Sequence, residues 1–397
     1  MTDRPRGGMA ALCAAQLTSW GLLYYSLPVA VVPISEETGW SHTTITGALA
    51  AGLLVSALLG VRVGRSLDHR GPRSVMTTGS IIGVLALLLV AWSPNLVLFY
   101  AAWLVAGFAQ SAVLYPPAFA VITRWYGPRR VGPLTTLTLV GGFASTVFAP
   151  LVALLVDTLG WRTGYVAMAG ILAVITIPLH ALLLNRAWSD APPTRGSARA
   201  TAEVRAVTRS ARFRILQVTM AVATFTLFAV TINIIPMFLE RGMSYGLAAT
   251  ALGLVGAGQV FGRIGYPQFA RATSPRARTA TVFVLGAGAL WLLALLPGPA
   301  WLLIAVAVLA GAVRGCHTLL QATAVSDRWG TKNFAAINGV FVAPMTAVGA
   351  VALVAGPGLA ELVGGYPVMA VVMAALLSGA ALMALREPQP RPAPEAP

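Results

Sequence analysis

Arg314, His317 and Gln321 lie in one apolar run, LAGAVRGCHTLLQ, at spacings i, i+3 and i+7, so all three share one face of a helix. A guanidinium in that setting can hold a carboxylate through two parallel hydrogen bonds. The imidazole beside it can carry a proton near neutral pH. An arginine in the middle of an apolar helix costs about 2.5–3.5 kcal/mol on insertion scales, so its presence asks for a reason. Two reasons stand open: contact with an anion, or bracing of the helices through their backbone carbonyls. Tyr24, Tyr25, Gln110, Asn233 and Asn338 also sit inside apolar runs. Each either faces a solute or ties neighbouring helices together. No Asp or Glu falls in the middle of a run, so His317 is the candidate for proton coupling, ahead of His180.

No catalytic constellation accompanies these residues. The chain has no nucleophile elbow, no GxxxxGK[ST] loop and no HExxH helix, so neither an enzyme nor a cofactor is expected. Cys13 and Cys316 are far apart and form no CxxC pair, which argues against a disulfide framework or a metal site.

The elements that must position these residues are membrane helices. The chain is 57% hydrophobic and 10% charged. A crossing needs about 20 mostly apolar residues. Twelve such spans are predicted, at 11–34, 44–64, 74–91, 95–123, 131–156, 161–184, 213–238, 246–266, 278–296, 300–325, 334–356 and 362–385. Tyr115, Pro116 and Pro117 predict a distortion of the fourth, and Gly141, Gly142 and Pro150 close packing or a kink in the fifth.

Charge sets the expected orientation. With twelve spans, both termini share a side with Arg65, Arg70 and Arg73, Arg129 and Arg130, the Arg195–Arg212 run, Arg271, Arg276 and Arg278, and Arg328 with Lys332. The opposite loops carry Glu36, Glu37, Glu240 and Glu361, with little basic charge beyond Arg162 and Arg241. The positive-inside rule then puts both termini in the cytoplasm of a cell-membrane protein. The net charge of +15 is scattered over short loops, which suits anionic lipid headgroups and not nucleic acid.

The chain divides into residues 1–184, a polar central loop over 185–212, residues 213–386 and a Pro-rich tail over 387–397 expected to be disordered. The stretch 199–212 reads either as an amphipathic surface helix or as a plain linker. Residues 105–125 echo 309–329 at an offset of 204, matching Ala106 to Ala310, Gly107 to Gly311, Arg124 to Arg328 and Trp125 to Trp329. A second echo, Gly64–Arg65 to Gly262–Arg263, has an offset of 198 and puts Tyr266 where Asp68 would repeat. Duplicated halves are one known transporter plan.

The loop after the second span reads GRSLDHRGPR, with Gly64, Arg65, Asp68, Arg70, Gly71 and Arg73. It resembles the signature loop between helices two and three of the major facilitator superfamily, usually GxxxDRxGRR. His69 stands where that pattern has a basic residue, and Pro72 replaces the first arginine of the terminal pair. The first two spans, PVAVVPISEETGWSHTTITGALAAGLLVSALLG, resemble the monocarboxylate-porter and oxalate/formate-exchanger branch. Pro150 follows Ala149 where drug/proton exporters of the superfamily have glycine.

The resemblance implies an all-α membrane protein of twelve transmembrane helices in two six-helix bundles, working by alternating access. It implies that Gly64–Arg73 is a cytoplasmic gate. From the residues alone, Asp68 suits either a helix N-terminal amide or an arginine of its own half. Relatives that handle carboxylates commonly use a cavity arginine on helix eight or eleven, whereas Arg314 is on helix ten. The expected solute is a small organic anion such as a monocarboxylate, with an accompanying proton or exchanged anion as the coupled partner. Efflux of a drug or metabolite is the alternative, and a non-transporting membrane sensor a second one. A monomer among membrane lipids is expected.

Overall fold

The computed structural model describes residues 7–185, 188, 198–331 and 333–386. Lys332, the 387–397 tail and most of the 186–197 loop, Arg195 included, lie outside the described residues. All regular structure among the described residues is helical. The helices are α1 (Gly8–Trp20), α2 (Ser26–Thr38), α3 (His42–Ala91), α4 (Leu96–Val113), α5 (Tyr115–Tyr126), α6 (Val131–Gly142), α7 (Ala144–Leu183) and α8 (Ala198–Arg209). They continue as α9 (Ala211–Ile232), α10 (Ile234–Leu239), α11 (Tyr245–Ala272), α12 (Pro275–Leu295), α13 (Ala300–Trp329), α14 (Phe334–Val363) and α15 (Tyr366–Leu385). A π-helical turn, Gly21–Tyr25, joins α1 to α2. The 199–212 stretch thus forms a helix over most of its length.

Nine segments among the described residues are long and apolar enough to cross a membrane. Two of them are far too long for one crossing: α3 has 50 residues and the segment of α6 and α7, Val131–Leu183, has 53. A 50-residue helix would run about 75 Å against a hydrocarbon core of about 30 Å. Each is broken once by a glycine in a conformation other residues resist, Gly71 (φ 76°) in α3 and Gly160 (φ 74°) in α7. The outer surface is apolar: Leu58, Val97, Val174 and Trp301 are all more than two-thirds exposed. A solvated protein would not present such a surface, and lipid accounts for it. The chain is a multi-pass membrane protein.

The chain forms two compact units. The first holds the described residues up to Val204 together with those of Thr331–Val354, so the first part of α14 packs with it. The second holds Arg205–Gly330 and the described residues from Ala355 onward. Within the first unit α3 packs on α4 and α7, and α1 on α6 and α7. Within the second, α11 packs on α13, and α12 on α13 and α15.

The units repeat one crossing. A Cβ on Gly107 would stand 2.1 Å from the Gly52 carbonyl oxygen, and a Cβ on Gly311 2.2 Å from that of Val255. The offsets are 204 from Gly107 to Gly311 and 203 from Gly52 to Val255. Both units also close one end alike. Arg162 bridges to Glu37 at 2.9 Å and donates to the Ala91 and Ser93 carbonyls at 3.1 and 2.8 Å. In the second unit Glu240 accepts the Tyr366 amide at 2.9 Å, and Arg241 caps the Leu293 and Ala294 carbonyls. Glu37 to Glu240 is 203 residues and Arg162 to Tyr366 is 204. The echo at offset 198 is not part of this register. Gly64 packs on Ala335 of α14, whereas Gly262 packs on Ala312 of α13. In the 203–204 register Asp68 corresponds to Arg271 or Ala272, and not to Tyr266.

Backbone against backbone leaves no flexible side chain to yield. Gly107→Ala and Gly311→Ala are each expected to destabilise the protein by about 1–3 kcal/mol. Gly170→Ala, which meets nothing within 4 Å, is expected to be neutral. Thermal unfolding of the purified variants checks all three.

Candidate functional site

Arg314 and His317 meet one face of α9. The Arg314 Nη1 donates to Thr231 Oγ1 at 3.1 Å, and its guanidinium carbon lies 3.8 Å from the centroid of the Phe228 ring. His317 Nε2 pairs with Thr224 Oγ1 at 3.0 Å. Thr224, Phe228 and Thr231 are spaced i, i+4 and i+7, so the two helices present matching stripes. His317 is buried beside Phe283, and its Nδ1 has no hydrogen-bond partner among the described residues. Arg314 and Gln321 are half-buried. Bracing of α13 against α9 is therefore a role that Arg314 performs, through a threonine hydroxyl and a ring.

Gln110 is fully buried, and its Nε2 donates to the Leu23 carbonyl at 2.7 Å. That carbonyl belongs to the middle residue of the π-helical turn. In an i to i+5 register its partner would be residue 28, which is Pro28 and has no N–H. Gln16 does the reverse. Its Nε2 donates to the Val113 carbonyl, which in a continuous helix would pair with residue 117, and that is Pro117. The chain duly breaks at Leu114, as Pro116 and Pro117 predict. Two glutamines thus cross-tie the interruptions of the first and fourth spans. Gln16 escaped the sequence analysis, although it too is a polar residue within an apolar run.

Tyr24 and Tyr25 belong to a ladder of rings. Centroid distances are 5.0 Å from Tyr25 to Tyr24, 5.2 Å from Tyr24 to Trp20, 5.0 Å from Trp20 to Tyr115 and 5.1 Å from Tyr115 to Phe119. All but Phe119 are half-buried. Asn233 ends α9, and its Nδ2 donates to the Ala229 carbonyl at 2.8 Å. Asn338 is buried and lines a narrow crevice with Gly60, Gly64, Ser111, Pro117 and Ala335. Its Oδ1 has no hydrogen-bond partner among the described residues.

The GRSLDHRGPR loop is built around three of its six singled-out residues. Gly64 is buried against the Ala335 carbonyl, Gly71 makes the break in α3, and Asp68 Oδ2 accepts the Ala336 amide at 2.9 Å. Ala336 is in the first turn of α14, where amides lack intrahelical partners and a carboxylate is favoured. Arg65, Arg70 and Arg73 are exposed. Burial pushes the Asp68 carboxyl up to about 6, from an ordinary 3.8, against the pull of the Ala336 amide, Arg124, His69 and the Ala335 amide. Arg124 was singled out only as a repeat match. Its place at the end of α5, beside this loop, is a tertiary fact.

The second unit closes its corresponding end with a buried pair. Arg278 Nη1 meets Asp327 Oδ2 at 2.8 Å, and Nη2 donates to the Ala270 and Thr273 carbonyls at 3.1 Å each. Tyr266 is buried there, with its hydroxyl 2.9 Å from Thr323 Oγ1.

A family model, the Major Facilitator Superfamily, matches residues 12–343. The chain belongs to that superfamily. The fold agrees: over 96% of this chain and 99% of its own, the transporter FucP in an outward conformation superposes with a TM-score of 0.76 at 14% identity. The human organic anion transporter MFSD10 (TETRAN) gives 0.70 at 16% identity, over 96% of this chain and 100% of its own. Among curated relatives, human Monocarboxylate transporter 11 is 31% identical over 261 residues, 64% of this chain and 54% of the relative. An MFS-type efflux pump of Mycolicibacterium smegmatis is 30% identical over 270 residues, 64% of this chain and 61% of the pump. The chain spans about half the length of the curated monocarboxylate transporters it matches.

The raised carboxyl of Asp68 has a definite sign. An acid whose pKa is higher when packed against α14 than when exposed binds its proton more tightly in the packed form. Acid therefore favours the packed form, through the window from about 6 down to the ordinary 3.8. Infrared spectroscopy of the purified protein is expected to show a protonated carboxyl band with a midpoint near 6 that vanishes in Asp68→Asn. A midpoint near 4 would mean the carboxylate is not buried there.

Proposed function

We propose that this protein is a secondary transporter that carries a small organic anion across the membrane by alternating access. Twelve crossings support this reading. The nine candidate segments become eleven when α3 and α7 are divided at Gly71 and Gly160, and α11 supplies a twelfth. On that count residues 1–184 and 213–386 each supply six crossings. The distribution of arginines over the loops puts both termini in the cytoplasm. Gly64–Arg73 is then a cytoplasmic latch: Asp68 holds the start of α14, whose sequence belongs to the second half.

Arg314 carries the anion assignment. It is the one arginine or lysine in the 27 positions from Trp301 to Asp327 of α13, and it is only partly buried. A monocarboxylate is the first class to try, since several curated relatives carry that name. The ladder from Tyr25 to Phe119 favours a second reading, a larger aromatic or amphipathic solute, for which Arg314 would serve as a brace alone. A coupled proton or exchanged anion belongs to either reading.

A binding screen on the purified protein, comparing small carboxylates with neutral and cationic drugs, separates the two. The expected outcome is carboxylate binding that falls at least about tenfold in Arg314→Gln, as loss of a charge-assisted contact implies. Unchanged anion binding in that variant would sink the assignment.

The latch has its own test once a ligand from that screen is in hand. Asp68→Asn is expected to slow flux in proteoliposomes while equilibrium affinity stays within about threefold, because the change lies in interconversion and not in contact with solute. Flux at the wild-type rate would refute the latch.

A further inference from the structure

Asp68 has a second bond, through its backbone. Pro72 lies four residues on and has no N–H, so the Asp68 carbonyl lacks the partner a continuous helix would give it. Trp188 fills the vacancy, its indole Nε1 donating to the Asp68 carbonyl at 3.2 Å. The same ring carries the Arg124 guanidinium on its face, 4.3 Å from the centroid. Gly71 makes room for it, since a Cβ there would stand 3.2 Å from the indole Cγ. One side chain thus touches the backbone of the acid, the arginine that pulls on that acid and the glycine that makes the turn. Trp188 comes from the segment between α7 and α8, outside the loop it fastens.

We propose that Trp188 is a positioning residue for the latch. It holds the Gly71 turn and Arg124 in the arrangement in which Asp68 engages the first turn of α14, so the indole and the latch release together. The proposal rests on the reading of Gly64–Arg73 as a gate. It assigns Trp188 no contact with solute.

Hydrogen–deuterium exchange on the full-length protein in lipid nanodiscs tests it without a known substrate. Peptides covering 66–73 and 334–339 report the latch, and one covering 102–110, around buried Trp103, serves as control. Trp188→Ala is expected to speed exchange in the two latch peptides by about fivefold, as loss of a hydrogen bond and a cation–π contact implies, with the control unchanged. Trp188→Phe keeps a ring against Arg124 and Gly71 and is expected to restore most of the protection at 334–339. Asp68→Ala, which removes the acceptor, is expected to release 334–339 whatever Trp188 does. If Asp68→Ala speeds exchange and Trp188→Ala does not, the role of Trp188 is overturned and the gate stands. If neither has an effect, the gate reading fails and the proposal with it. Faster exchange in the control as well would make the indole a general support and would also overturn the proposal. Should Trp188→Ala not fold, Trp188→Gln, which keeps a donor and loses the ring, answers the same question by the same peptides.

Discussion

A backbone carbonyl inside a bilayer has no water to turn to, and leaving it unpaired costs several kcal/mol. Proline creates that problem wherever it interrupts a helix. Two interruptions within the spans of the first unit meet it in the same way, and the loop after the second span caps its own freed carbonyl likewise. Pro117 frees the Val113 carbonyl and Gln16 takes it, Gln110 takes that of Leu23 in the π-helical turn, and at the loop Pro72 frees that of Asp68 and Trp188 takes it. In each case the donor comes from another element. Every bend is therefore tied to a neighbour at the point where it bends, and the unit gains irregular helices without losing definition. The π-helical turn and the Leu114 break are fixed relative to each other by a reciprocal pair of glutamine bonds. The ring ladder from Tyr25 to Phe119 runs across those same two interruptions, so its geometry depends on them.

The two units preserve some contacts and replace others. What is preserved is what backbone geometry dictates: the glycine crossings of Gly107 and Gly311, and an acid at the end of the first helix that reaches the start of the last. What is replaced is the donor. Arg162 caps carbonyls from α7, and Arg241 does so from the turn after α10. The Asp68 contact with α14 is the larger divergence. Asp68 has no acidic counterpart in the contact register, and the second unit instead buries Arg278 with Asp327. A buried pair that also caps two carbonyls is costly to open, since separating it strands a charge. A single carboxylate on one amide is much easier to break. The asymmetry leaves one end of the first unit as the weaker joint.

Features that follow from composition or local chemistry were legible in the sequence. Apolar runs, the proline distortion after Tyr115, the turn at Gly71 and Asp68 as a partner for either a helix N-terminal amide or an arginine all rest on residues close together in the chain. The breaks in α3 and α7, at Gly71 and Gly160, fall between predicted spans, because glycine and charge mark the ends of those spans. Partners far apart in sequence were not legible. Gln16 and Val113 are 97 residues apart, Gln110 and Leu23 are 87, and Trp188 and Asp68 are 120. A tryptophan in a polar segment carries no mark of the carbonyl it will cap. The π-helical turn is equally silent, because one extra residue shifts the apolar pattern by less than the pattern varies. The repeat at offset 198 looked sound for the same reason that it failed: glycine and arginine are common at helix ends, and only contacts set a register.

On the proposed reading Arg314 is a brace and a binding group at once. Stacking on Phe228 uses the face of the guanidinium, and the Thr231 hydroxyl uses one of its in-plane donors. A ring on one face and a hydroxyl on one nitrogen together fix its plane. A side chain of this kind carries about 2 kcal/mol of rotamer entropy, and one already oriented surrenders less of it when a carboxylate arrives. The helix that carries it is itself held close to α11, where Gly311 and Gly315 meet the Val255 and Gln259 carbonyls without a side chain between. The cost of placing a cation in an apolar helix is then met by packing that also sets its direction, and α9 is the element that does both.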